Sequence, residues 1–193
     1  LLLGASFAAQ ACGPLTTDDC GTVSASGFEF ELGYDGTPEN GGDHTLQAGL
    51  KHGLTERMDI GIDIPYAIKP DADERIGAAS LGMKFAVVKD IASIYASYSP
   101  GDPGFLAYGA VSRGVFDFII HLNLGYNGTG VRDLKGAAFW AAAIQRPAGI
   151  LDLMVEVFGT GKDANCLGGC RMKIAGLGFP SRDPGAGFQQ FIG

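Results

Sequence analysis

Basic charge is scarce in this chain: 14 Lys and Arg stand against 21 Asp and Glu, for a formal net charge of −7. A chain so balanced offers no basic surface to a phosphate backbone, which excludes a nucleic-acid partner. Long apolar runs are missing too. Nothing in the sequence approaches the ~20 uninterrupted apolar residues of a membrane-spanning helix, which excludes a helical membrane protein. Histidine occurs only at His44, His52 and His121, and no zinc spacing, phosphate-binding glycine loop or recognisable nucleophile accompanies them. The sequence therefore points to no metal, no cofactor and no enzymatic activity. Charged residues make up only 18% of the chain while apolar residues make up 46%, and the mean hydropathy is +0.15. That is more apolar than the water-facing surface of a domain this size accommodates. What is abundant is glycine, 31 residues of 193, more than twice the usual share of about 7%. Glycine at that density disfavours long helices and leaves β-structure as the expectation.

The first eleven residues, Leu1 to Ala11, read as the apolar core of a secretory signal ending in an A-x-A site, Ala9-Gln10-Ala11. Mature protein is expected from Cys12, and the sequence as given is expected to begin partway through the signal. Acylation of Cys12 is the weaker alternative, because Ala9 and Gln10 match a lipobox poorly. The organisation expected is a partial signal peptide over 1–11, an N-terminal periplasmic segment over 12–26, and a single β-barrel domain over 27–193, incomplete at its ends. In an oxidising compartment the even set Cys12, Cys20, Cys166 and Cys170 reads as local disulfides, Cys12 to Cys20 and Cys166 to Cys170, or as free thiols. A metal site is disfavoured, since no histidine lies near.

Beyond Ser26 the dominant period is two. Phe28, Phe30, Leu32 and Tyr34 alternate with Glu29, Glu31, Gly33 and Asp35, the signature of a strand with one apolar and one polar face. The alternation recurs from Leu46 to Lys51, Met58 to Ile64, Ser80 to Val87, Ser93 to Tyr98 and Phe116 to Tyr126. Segments at Phe105 to Val111 and Ala137 to Ile144, both ambiguous in phase, and at Leu151 to Phe158 bring the count to nine. Beyond Ile174 the phase slips, through a bulge or a missing hairpin turn. Ten to twelve strands are expected.

Connections alternate in length. Tight turns are expected at Lys89-Asp90, Arg113-Gly114 and Arg146 to Gly149, with longer polar loops at Asp35 to Asp43, Lys69 to Arg75, Asn127 to Asp133 and Gly159 to Gly169. Short turns on one rim and long loops on the other are the asymmetry of an antiparallel, up-and-down transmembrane β-barrel of the outer membrane. Tyr34, Tyr66, Tyr98 and Tyr126 close the odd-numbered strands, as an aromatic girdle at a membrane interface would.

The string Gly13-Pro14-Leu15-Thr16-Thr17-Asp18-Asp19-Cys20-Gly21-Thr22-Val23, followed by Gly27 to Glu31, resembles the start of bacterial outer-membrane proteins proposed as transporters of the phenol meta-cleavage (MetA) degradation pathway. Leu153 to Gly159 and Gly178 to Pro184 are similar to that family's late strands and last loop. The resemblance implies a barrel of about twelve strands and uptake of small hydrophobic or aromatic compounds.

With the apolar face toward lipid, the polar face would line a lumen. Its candidates are Glu29, Glu31, Asp59, Asp63, Lys84, Asp117, His121 and Glu156, with Asp35, Asp152 and Lys51 beside them. Such an acid-rich lining favours cations, or is simply satisfied by its own ion pairs. Inward glycines at Gly33, Gly49, Gly61, Gly82 and Gly125 leave room for a solute, or ease the twist of the sheet. The expected function is passive or facilitated passage of small molecules across the bacterial outer membrane. The alternative is a side-chain-filled, non-conducting barrel acting as a structural or surface-binding protein through its outer loops, Asp35 to Asp43 and Gly159 to Gly169 above all. The expected partners are outer-membrane lipid, a small-molecule solute and the outer-membrane assembly machinery.

Overall fold

A computed structural model describes residues 16–36, 44–69, 75–101, 104–129, 135–149, 151–161, 163–174 and 188–192. The signal segment and Cys12 lie outside them. Among the described residues eleven strands form one sheet and no helix is present: β1 Phe28–Gly36, β2 His44–Thr55, β3 Met58–Lys69, β4 Ser80–Val88, β5 Ala92–Ser99, β6 Gly104–Val115, β7 Phe118–Gly128, β8 Ala137–Ala148, β9 Leu151–Thr160, β10 Asp163–Ile174 and β11 Phe188–Ile192. Each pairs antiparallel with the next, in the order of the sequence. This is the all-β, up-and-down sheet that the period of two predicted. The sheet bends until β1 and β11 run side by side, with Cα atoms within 8 Å. The hydrogen-bonded ladder runs from β1 to β11 and does not close between them.

The two faces divide as the alternation requires. Ile60, Ile64, Leu81, Met83, Ile94, Leu122, Leu124, Val155 and Val157 are all exposed, whereas Glu31, Asp59, Lys84, Ser112, His121, Asn123, Gln145, Asp152 and Glu156 are buried. This is the reverse of a water-soluble fold, in which large apolar side chains are the ones withdrawn. Tyr34, Tyr66, Tyr98 and Tyr126 all stand on the exposed face, at 40, 38, 51 and 44% accessibility. They sit near the end of β1, β3, β5 and β7, which antiparallel order places at one rim.

Three turn expectations move. The β6–β7 turn is at Phe116-Asp117, later than Arg113-Gly114, because the ladder continues through Arg113↔Ile120 to Val115↔Phe118. Phe116 itself takes the left-handed φ of 55° that closes the hairpin. Likewise Arg146, Pro147 and Ala148 remain in β8, and Gly149, at φ 69°, begins the turn. The long loop expected over Gly159 to Gly169 does not exist. Thr160 pairs with Asp163 across a tight turn, and residues 163–172 pair with β9 along their whole length. Small residues such as Ala164 and Gly168 blur the alternation there, but the unpaired edge of β9 supplies a ladder that side chains need not specify. The phase slip after Ile174 coincides with the end of β10, and Ile174 pairs with Phe188 across the hairpin to β11.

The cysteines do not form the expected disulfides, since Cys20 and Cys166 are free thiols. Cys166 and Cys170 both belong to β10, where residues four apart are separated by about 13 Å along an extended strand. A disulfide tolerates no more than about 7 Å between Cα atoms. Cys20 is buried against the sheet.

Candidate functional site: the enclosed face and the segment across it

Residues 16–26, the described part of the expected N-terminal segment over 12–26, lie against the buried polar face of the sheet. Going backward from β1, the chain turns at Ser26, whose φ is 63°, and is pinned to β2 by Ser26 N donating to Gly53 O at 2.7 Å and Gly53 N donating to Gly27 O at 3.0 Å. Gly53 is needed there: a Cβ on it would lie 1.9 Å from the Ser24 carbonyl oxygen. From that point the segment crosses the enclosed face. Val23 N donates to Asp59 on β3 at 2.8 Å, and Cys20 N donates to Ser112 on β6 at 3.0 Å. At the far side Glu156 on β9 accepts from Thr16 N, Thr17 N and the Thr17 hydroxyl, each at 2.8 Å.

The sheet is strongly curved. On a flat one, β1 and β11 would be about 48 Å apart at ~4.8 Å per strand, whereas their Cα atoms approach within 8 Å. The sheet therefore wraps around the segment.

Asp18 is the centre of the cross-piece. Its Oδ2 lies 2.7 Å from Lys84 Nζ on β4 and accepts from the Tyr108 hydroxyl on β6 at 2.6 Å. The Asn123 side chain on β7 grips the same residue by its backbone, accepting from Asp18 N at 2.5 Å and donating to Asp18 O at 2.9 Å. Lys84 also donates to the Asp19 carbonyl at 3.1 Å. Burial acts to raise the Asp18 pKa, but the charges of Lys84 and Lys51, with hydrogen bonds from Lys84 and Tyr108, outweigh it and hold the carboxyl well below the usual carboxylate range.

The expected lining residues fall into three groups. Asp59, Lys84 and Glu156 hold the segment, as above. Glu29 and Glu31 form ion pairs with Lys51, at 3.4 and 2.8 Å, and Asp63 adjoins them across Gly49. Glu31 Oε1 and Gln47 Oε1 are buried acceptors with no hydrogen-bond donor among the described residues. His121 is buried between Ser112 Oγ, 2.8 Å from Nδ1, and Gln145 Oε1, 2.9 Å from Nε2. Asp117 is the exception: it lies in the exposed β6–β7 turn, outside the enclosed face, because the strand begins two residues later than the apolar pattern suggests.

Two of the inward glycines, Gly82 and Gly125, leave no free space. A Cβ on Gly82 would lie 2.3 Å from the Tyr95 hydroxyl oxygen, and one on Gly125 would lie 2.5 Å from Tyr108 Cβ and 2.6 Å from Phe139 Cε1. Neighbouring rings fill the space that glycine leaves. Tyr95 stacks on Tyr108 at 4.8 Å, Phe139 meets Tyr108 edge-on at 5.9 Å, and Leu106 and Ala110 complete an apolar patch on the wall.

Sequence reasoning missed Ser112, Tyr108, Asn123 and Gln145, and above all Thr16, Thr17 and Asp18. Asn123 and Gln145 carried a signal, since they share the inward parity of His121 and its cross-strand partner Ala143. Among the described residues no cluster of His, Cys, Asp and Glu could hold a metal ion. The chain matches no model of a known protein family and no curated protein.

Proposed function

We propose that the chain is an outer-membrane β-barrel for the passage of small solutes, whose lumen is stoppered by its own N-terminal segment. The observation that carries this reading is the inverted polarity of the sheet. Apolar side chains cover the exposed face and ionic side chains the enclosed one. Lipid satisfies that arrangement, and water does not. The tyrosines at the loop rim and the fully exposed Phe116 at the turn rim (101%) then mark the two interfaces. A ring in the headgroup zone offsets the strain of a left-handed φ on a bulky residue. The proximity of β1 and β11 fits the closed wall that hydrocarbon demands.

Passage requires the stopper to leave. Thr16 to Val23 bonds to five strands of the wall, β3, β4, β6, β7 and β9, and is built from polar contacts that water can replace. A side-chain-filled barrel is the resting state on this view, and transport is its gated state.

The test is reconstitution of the folded, heat-modifiable protein in liposomes, comparing wild type with Asp18→Lys, which sets a like charge on Lys84 without altering a strand. Solute-driven swelling that is slow for wild type and fast for Asp18→Lys supports the proposal. Failure of the folded protein to insert into lipid overturns it.

A further inference from the structure

The contacts that hold Asp18 describe a receptor as well as a lock. A buried ammonium, Lys84 Nζ, and a buried phenol, Tyr108 OH, converge on one carboxylate oxygen at 2.7 and 2.6 Å. Lys84 and Tyr108 are only 4 and 5% accessible. The carboxylate they bind belongs to a segment outside the strands, tethered at its C-terminal end to the rim of β2. We infer that the Lys84–Tyr108 pair is an intralumenal binding site for a small organic carboxylate, and that Asp18 is its tethered competitor.

Resting on the gated reading above, this inference assigns the solute class and the event that opens the gate. Withdrawing the segment takes the Asp18 carboxylate, and Asp19 at 3.7 Å, from a buried lysine. Withdrawal exchanges a short, charge-assisted contact for water, so part of the pair's stabilisation is lost. A carboxylate solute restores the ion pair and the phenol hydrogen bond, while a neutral analogue restores neither. Carboxylates therefore bind the displaced state better than the docked one, where Asp18 occupies their place, and shift the population toward opening. The adjoining wall suits the rest of such a molecule. Tyr95, Tyr108, Phe139 and Leu106 form an apolar patch beside the phenol that reads the carboxylate, so an acid with an apolar body gains contacts that acetate or chloride does not.

Cys20 supplies the readout, because it is buried in the docked segment two residues from Asp18. With Cys12, Cys166 and Cys170 replaced by serine, the folded full-length chain in detergent micelles is treated with N-ethylmaleimide. Its labelling rate is followed in benzoate, in benzamide and in chloride at matched ionic strength. Benzoate is expected to accelerate Cys20 labelling several-fold in a saturable manner, and benzamide and chloride are not. Lys84→Gln is expected to label fast without any addition and to ignore benzoate. Tyr108→Phe, a milder change that preserves the ring packing, takes the phenol hydrogen bond from Asp18 and from the solute alike, and is expected to raise the rate without any addition and to shrink the fold-acceleration that benzoate gives.

An unchanged rate in benzoate, or equal acceleration by benzamide, overturns the carboxylate site. The outcome is separable from the passage reading: benzoate-dependent labelling in a protein that never conducts leaves the site standing and ends the transport role. Conduction without any benzoate response does the reverse.

Discussion

Lys84 on β4 and Asp18 of the N-terminal segment form a buried ion pair, 2.7 Å between Nζ and Oδ2, with both side chains more than nine-tenths withdrawn from solvent. They are 66 positions apart, and nothing in the local alternation announces the pairing. The pair fixes where the segment lies and, on the proposed function, whether the lumen is closed.

That pair sets a pH dependence. The docked Asp18 pKa lies below its ordinary value, with Lys84, Lys51 and Tyr108 outweighing burial. A depressed carboxyl contributes docking stability in full above its free value, near ~3.9, and loses it as pH falls toward the docked value. The contribution of this pair to closure, read as the difference in conductance between wild type and Asp18→Asn, is expected to be constant between pH 8 and pH 5 and to fall below about pH 4.

Glu156 gathers three hydrogen bonds from Thr16 and Thr17 while itself only 1% accessible. Glu156→Ala removes the acceptor without leaving a buried charge behind, and is expected to weaken docking by about 2–3 kcal/mol. Faster maleimide labelling of Cys20 reads the change. A rate equal to wild type would show that Glu156 does not anchor the segment.

The orientation of the sheet is tested at Leu122, which stands 52% exposed in the middle of β7. Leu122→Arg is expected to cost about 2–4 kcal/mol in a bilayer if lipid covers that face. Urea unfolding in lipid vesicles measures it, and wild-type stability would place water there instead.

Packing on the enclosed face can be checked at two glycines. Gly125→Val drives a side chain into Tyr108 and Phe139 and is expected to cost about 1–3 kcal/mol by overpacking. Gly109→Ala faces outward, with its nearest neighbour, Ser93 O, 3.9 Å from the added carbon, and is expected to stay within about 0.5 kcal/mol.

Most of the sheet was legible because alternation of apolar and polar residues is a direct consequence of strand geometry, and β1, β3, β4 and β7 carry it strongly. β10 was not, because Asp163, Ala164, Gly168 and Gly169 present small or polar groups on both faces, and its pairing with β9 is carried by the backbone. The turn at Phe116 was hidden for the opposite reason: an exposed aromatic in a hairpin continues the apolar period of the strand that follows. Of the interior, the ionic strand residues were readable by parity. The segment that binds them was not, since Thr16 to Val23 has no period and its contacts lie as far as 140 positions away.

The most direct measurement is single-channel conductance in a planar bilayer of folded wild type beside folded Asp18→Lys. A stopper held by Lys84 predicts a nearly silent wild type and frequent, larger conductance steps in Asp18→Lys. Equal steps from the two proteins, or silence from both, would contradict a lumen closed by its N-terminal segment.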